Sequence, residues 1–125
     1  MKTNKEIKFI KFDHNILYES QSKLFKASFP STIGKQSSSF DHYHWKFHCF
    51  PSSPSSYEYG VTLNDELVGY YASLPFDYII NEKKYRIALV CDVMTSPNVR
   101  RQGLFTKLGI YSLREMMNNK LNFTM

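Results

Sequence analysis

The chain has 125 residues, 42% hydrophobic and 16% aromatic, enough apolar material for one folded domain and too much for a disordered tail. Its net charge of +5 suits anionic ligands, but the basic residues are interleaved with acidic ones. That argues against a nucleic-acid groove, which carries a denser cationic stripe. No run reaches the ~18 apolar residues of a membrane span, the first residues lack an apolar signal core, and the expectation is a cytoplasmic protein with no membrane partner.

Residues 7–12 alternate Ile7 and Phe9 with Lys8 and Lys11, the period of a short strand. Asp13 and Asn15 are placed to cap a helix over 16–28, where Leu17, Leu24 and Ala27 recur at helical spacing and Phe29-Pro30 ends it. Residues 31–39 are polar, contain Gly34 and read as a loop. The dense aromatic segment 40–50 predicts a second helix, with Asp41 favourable at its N-terminus. His44 and His48 stand four apart there, a zinc-binding spacing, but no third ligand is placed beside them, so packing is the default and no metal is expected. Pro51 to Ser56 is a break of two prolines and four serines.

A three-strand meander follows: 57–63, a turn at 64–66, 67–80, a turn at 81–83, and 85–95. Pro75 inside the second of these strands requires an edge, bend or bulge. The nearly unbroken apolar run from Ile87 to Val93 predicts a strand buried on both faces. Tyr70, Tyr71, Phe76 and Tyr78 read as a strand face over the core, with an acceptor cleft as the other reading. Residues 104–119 form a helix whose apolar residues cover most of its circumference, with Lys107, Arg114 and Asn118 as the polar stripe. This pattern predicts a helix buried between other elements. Residues 121–125 begin a further strand, so the 125 residues read as one domain, incomplete at its C-terminal side or completed by a second copy in a dimer. Cys49 and Cys91 have no metal spacing and read as reduced thiols.

The most informative stretch is Arg100-Arg101-Gln102-Gly103-Leu104-Phe105, a loop between the third meander strand and the last helix. Such a loop turns a fan of backbone N–H groups and the positive end of a helix toward an anion. The string from Asp92 to Leu108, set in this order of elements, resembles the acetyl-coenzyme-A-binding core of the GCN5-related N-acetyltransferase superfamily. That core carries Arg/Gln-x-x-Gly-x-Gly/Ala. Arg100 and Gly103 fill its first two fixed positions, and Phe105 replaces the small third residue.

The resemblance implies an α/β fold, a mixed and mainly antiparallel sheet flanked by helices in the order β-α-α-β-β-β-α-β. It implies acetyl-coenzyme A as co-substrate and a primary amine of a small molecule or peptide as acceptor. Gln102, Gly103, Leu104, Phe105 and Thr106 would cradle the pyrophosphate through their N–H groups. Arg100 and Arg101 would add charge, and Val93 and Thr95 would pair with the pantetheine arm. Phe105 is expected to pack beneath the helix. Asp92, on the strand that carries the thioester, is the candidate base, with a structural carboxylate as the plainer reading. Two other functions stay open at this point: a non-catalytic module that keeps the loop, and a basic nucleic-acid-binding domain.

Overall fold

The computed structural model describes residues 6–49, 51–52, 54–100, 102–119, 121 and 123–124. The elements are β1 (Ile7–Lys11), α1 (His14–Ser28), α2 (Phe40–His48), β2 (Tyr57–Leu63), β3 (Glu66–Ile80), β4 (Lys83–Thr95), α3 (Leu104–Asn118) and β5 (Phe123–Thr124). They follow the expected order. The segment read as a loop, 31–39, holds short 3-10 turns at Pro30–Thr32 and Gln36–Ser38.

The five strands form one sheet in sequence order, β1-β2-β3-β4-β5. The first three pairings are antiparallel, and β5 lies parallel to β4 through Ile87–Phe123 and Ala88–Thr124. Two-residue turns make the meander. Asn64 and Asp65 join β2 to β3, and Asn81 and Glu82 join β3 to β4, each pair with positive φ at both positions. This geometry matches the right-handed twist of the flanking strands, and Asn and Asp tolerate it better than most residues.

Helix starts follow local chemistry. Asp13 caps α1 by accepting the Asn15 N–H at 3.0 Å, and Ser39 caps α2 by accepting the His42 N–H at 3.2 Å. Each such cap is worth ~1 kcal/mol. One face of the sheet carries α1 and α2, whose Leu24, Tyr43 and Phe47 bury Phe12, Leu67, Tyr70, Ala72 and Met94. The other face carries α3, whose Leu104, Leu108 and Met116 bury Tyr59, Val61, Val68 and Ala88. Full burial of one such side chain contributes roughly 1.5–3 kcal/mol. A Cβ on Gly69 would stand 2.6 Å from Val61 and 3.2 Å from Leu108, so the glycine lets α3 sit close to the sheet.

Two expectations change in the structure, and a third is narrowed to one of its alternatives. The last helix is not buried all round. Its buried residues Leu104, Leu108, Ser112 and Met116 form one stripe four residues apart, while Ile110, Leu113 and Met117 face outward, because a single sheet face can cover only one stripe. The β4 run is buried on both faces only at Ile87 and Ala88. Leu89 is 41% exposed, since the cluster under α1 and α2 reaches no further along β4 than Cys91. Pro75 marks an edge: β2 pairs with β3 only as far as Ser73, so from Leu74 onward that side of β3 has no β2 partner and needs no N–H donor there.

Candidate functional site

The site is built around an irregularity in β4. Tyr70 pairs with Met94 and Ala72 with Cys91, so the single residue Tyr71 stands opposite the two residues Asp92 and Val93. This is a β-bulge, and Asp92 absorbs it with a φ of 53°. After the bulge the strand runs to Thr95, and the Ser96 N–H donates to the Val68 carbonyl at 2.7 Å. Ser96 and Met94 therefore turn their backbone groups toward β3. By the two-residue alternation, Thr95 and Val93 turn theirs to the opposite side. The described pairing with β5 involves only Ile87 and Ala88, further back along β4. The backbone at Val93 and Thr95 thus forms an edge able to accept an extended ligand as though it were a strand.

The loop after β4 ends in Gly103, the residue before α3, with a φ of 72° and a ψ of 7°. No side chain caps the helix. Its first hydrogen bond runs from the Lys107 N–H to the Gly103 carbonyl at 3.2 Å, leaving the N–H groups of Leu104, Phe105 and Thr106 ahead of the ladder. The helix has no acidic side chain in its first turn to neutralise its positive end. A Cβ on Gly103 would meet nothing within 4 Å, so glycine is required by the left-handed backbone and not by crowding within the chain.

A cleft of about 300 Å³ joins the edge to the loop, lined by Ser28, Phe29, Val93, Met94, Thr95, Arg100 and Phe105. Four of the residues expected at a cofactor site thus share one cavity: Val93, Thr95, Arg100 and Phe105. Gln102, Gly103 and Thr106 lie exposed beside it, and the Leu104 side chain is buried below. Arg101 lies outside the described residues. Phe105 does not pack beneath the helix. It is 58% exposed and borders the cleft, because the inward stripe of the first turn is taken by Leu104 and Leu108. Sequence reasoning missed Ser28, the last residue of α1. Its Oγ is buried and has no hydrogen-bond partner among the described residues, an orphaned donor and acceptor at the cleft wall.

Asp92 turns to the α1–α2 side, where its Oδ2 accepts from Lys46 Nζ at 3.0 Å. Both side chains are about three-quarters buried. They floor a small gap between α1 and α2, about 20 Å³, also lined by Tyr18, Gln21, His42 and Tyr43. Behind this gap lies a polar cluster that sequence reasoning also missed. Glu58 of β2 accepts from the hydroxyls of Tyr43, of Tyr70 at 2.6 Å and of Ser56 at 3.1 Å, and His48 Nε2 is 2.9 Å from its Oε1. The His48 ring stacks on His14 at 3.7 Å. Burial pushes the Glu58 carboxyl up, against the pull of its hydroxyl donors. Burial, with the His14 and His44 rings beside it, lowers His48 to about 4 despite the neighbouring carboxyl. At neutral pH His48 is thus held neutral, with its Nε2 between the Glu58 carboxyl and the Tyr43 hydroxyl, which is 3.0 Å away. His44 contacts Cys49 at 3.3 Å. Among the described residues no group of three His, Cys, Asp or Glu side chains is arranged to hold a metal ion, and no helix is long and apolar enough to cross a membrane.

Among solved structures, a conserved protein of unknown function from Enterococcus faecalis V583 superposes with a TM-score of 0.75 at 16% identity, covering 98% of this chain and 28% of its own. A GCN5-related N-acetyltransferase from Kribbella flavida gives 0.73 at 14% identity, covering 94% of this chain and 28% of its own. The chain therefore spans little more than a quarter of the length of these two. A predicted acetyltransferase from Clostridium acetobutylicum, solved with acetyl-CoA, gives 0.74 at 13% identity and is covered over 79% of its length, with 96% of this chain aligned. These likenesses establish the fold. No curated protein matches the sequence. The family model described as "Acetyltransferase (GNAT) domain" matches residues 18–125, most of the chain and all of the site, and the chain belongs to that family.

Proposed function

We propose that the chain is an acetyl-coenzyme-A-dependent N-acetyltransferase acting on a primary amine of a small molecule or peptide. The observation that carries this reading is the uncapped N-terminus of α3 behind a left-handed Gly103, continuous through one cleft with the open edge of β4.

The residues present fit the co-substrate. The N–H groups of Gln102, Gly103, Leu104, Phe105 and Thr106 hold a pyrophosphate, with the helix dipole adding its positive end. Arg100, at the cleft, supplies charge. Val93 and Thr95 pair with the pantetheine amides, and the orphaned Ser28 hydroxyl gives a further polar contact from α1. Acetyl-coenzyme A supplies an activated acyl group as a thioester.

Asp92 is the base in this reading. It sits in the bulge one residue before Val93, its carboxylate turned into the α1–α2 gap and steadied by Lys46. Its role is to take a proton from the incoming ammonium so that the nitrogen lone pair is free to attack. The remaining contribution is proximity, with both reactants held in one complex.

Titration calorimetry with acetyl-coenzyme A tests the cradle, with Gly103→Val as its control. A β-branched residue at a φ of 72° is strained. The expected loss of affinity is about 1–3 kcal/mol, from that strain and from misdirected N–H donors. Equal affinity in a folded Gly103→Val variant removes the loop as the cradle.

A further inference from the structure

We propose that Glu58 is the group on which the amine's proton comes to rest, joined to Asp92 through Tyr43, in the acetyl transfer proposed above and resting on that reading. The carboxyl is 6% exposed, within a sheet face whose other buried contacts are almost all apolar. Its described partners are three hydroxyls and a neutral imidazole, with no ammonium or guanidinium among them. A buried acid without a cationic partner is a costly way to anchor two tyrosines, because a neutral amide would serve. It is a suitable way to hold a proton, since burial raises its affinity for one and two hydroxyl-bearing rings reach it directly.

Tyr43 makes the connection. Its hydroxyl donates to Glu58, and the same residue lines the gap that Asp92 and Lys46 floor. At about 20 Å³ that gap is the size of one water molecule. On its other side Glu58 borders a cleft of about 260 Å³, together with Lys11, His48, Ser56, Glu115 and Asn119, which leads to solvent. The charged and titratable groups around Glu58 are thus His14 from α1, Tyr43, Lys46 and His48 from α2, Tyr70 from β3, and Cys91 and Asp92 from β4. Lys11 and Glu115 stand at the cleft.

The proton balance closes. The ammonium gives one proton to Asp92, which passes it by a water in the gap to Tyr43. The tyrosine accepts it while giving its own to Glu58, and so is neutral before and after. The freed nitrogen forms a bond to the acetyl carbon, the carbon–sulfur bond breaks, and the departing thiolate takes a second proton from that nitrogen. Glu58 then releases its proton through the cleft, so one proton leaves per acetyl group transferred.

The test follows thiol release from acetyl-coenzyme A as a function of pH, with spermidine, glucosamine and a lysine-containing peptide as acceptors. Wild type, Glu58→Gln, Glu58→Asp and Tyr43→Phe are compared, and calorimetry with acetyl-coenzyme A checks each for an intact cradle. Glu58→Gln and Tyr43→Phe are expected to keep wild-type cofactor affinity and acceptor KM while kcat falls by about 100-fold. The ascending limb of the pH profile is expected to vanish in Glu58→Gln and to return, in part, in Glu58→Asp. If Glu58→Gln does not fold, Tyr43→Phe, which keeps the ring and its packing, decides alone. A folded Glu58→Gln or Tyr43→Phe with wild-type kcat and pH profile overturns the assignment and leaves the acetyltransferase reading standing. A loss of kcat with no change in the shape of the pH profile overturns it in favour of a structural role. A wild-type chain that turns over none of the amines overturns the acetyltransferase reading itself, and this assignment with it.

Discussion

Under α3 the sheet meets Leu104, Leu108 and Met116. The buried hydroxyls there are scattered: those of Tyr57 and Tyr59, Ser73, which donates to Met116 Sδ at 3.1 Å, and Ser112, whose Oγ has no partner among the described residues. Under α1 and α2 it meets a group of rings, Phe12, Tyr18, Tyr43, Phe47 and Tyr70, closed around a carboxyl and flanked by two imidazoles. The first face holds a helix in place so that its N-terminus points at the cleft, which needs only apolar area and close approach. The second places titratable groups at fixed separations, which needs every hydroxyl to have a defined acceptor. One side of the sheet holds a helix by apolar packing, and the other encloses titratable groups.

The comparison is broken most severely by removing a ring from the second face. Phe47 is 1% exposed and packs against both Tyr43 and Tyr70. Phe47→Ala is expected to cost about 3–5 kcal/mol in denaturant unfolding, through lost transfer energy and the cavity left behind. A cost below 1 kcal/mol would mean that the rings do not hold the cluster together.

A smaller effect sharpens the electrostatic side. His48 ordinarily titrates near 6.5, and the fold lowers it to about 4. As pH falls, the unfolded chain therefore binds this proton first. Stability from the neutral ring is complete above about 6.5 and is lost as pH falls to about 4. His48→Asn is expected to lessen the drop in melting temperature across that window by a few degrees. An unchanged slope would show that the ring titrates alike in the folded and unfolded chains.

The smallest effect belongs to the first face. Ser112→Ala removes a buried hydroxyl without a partner among the described residues, so stability should hold or rise, by no more than about 1 kcal/mol. A clear loss would mean that the hydroxyl has an acceptor and that the α3 face is more polar than its contacts indicate.

Local signals were strong wherever a single segment carries its own pattern. The strand at Tyr57–Leu63, the helix beginning at Phe40 and the loop-to-helix step at Gly103 could all be read from spacing and turn chemistry. Relations between segments were hidden. Glu58 lies between Tyr57 and Tyr59, where alternation marks a charged residue as facing away from its neighbours. Nothing in that pattern says that the other face is covered by Tyr43 and Tyr70, 15 and 12 residues away. The bulge at Asp92 and Val93 was equally invisible, because either residue fits a regular strand and only the pairing with β3 shows one too many. Phe105 was misread because burial was inferred from its apolar character alone, whereas its position in the turn decides which way it faces.

That extra residue in β4 has a genetic consequence. Cys91 and Met94 both lie against the α1–α2 face although their numbers differ by three, since the bulge resets the alternation between them. A substitution there changes one side chain. A one-codon deletion at Asp92 or Val93 would leave one residue opposite Tyr71, a regular strand in which Cys91 and Met94, now two apart, still share a face. The bulge is therefore a point at which β4 can lose a residue without inverting its faces, and what such a loss removes is the left-handed backbone turn that sets Asp92 against Lys46.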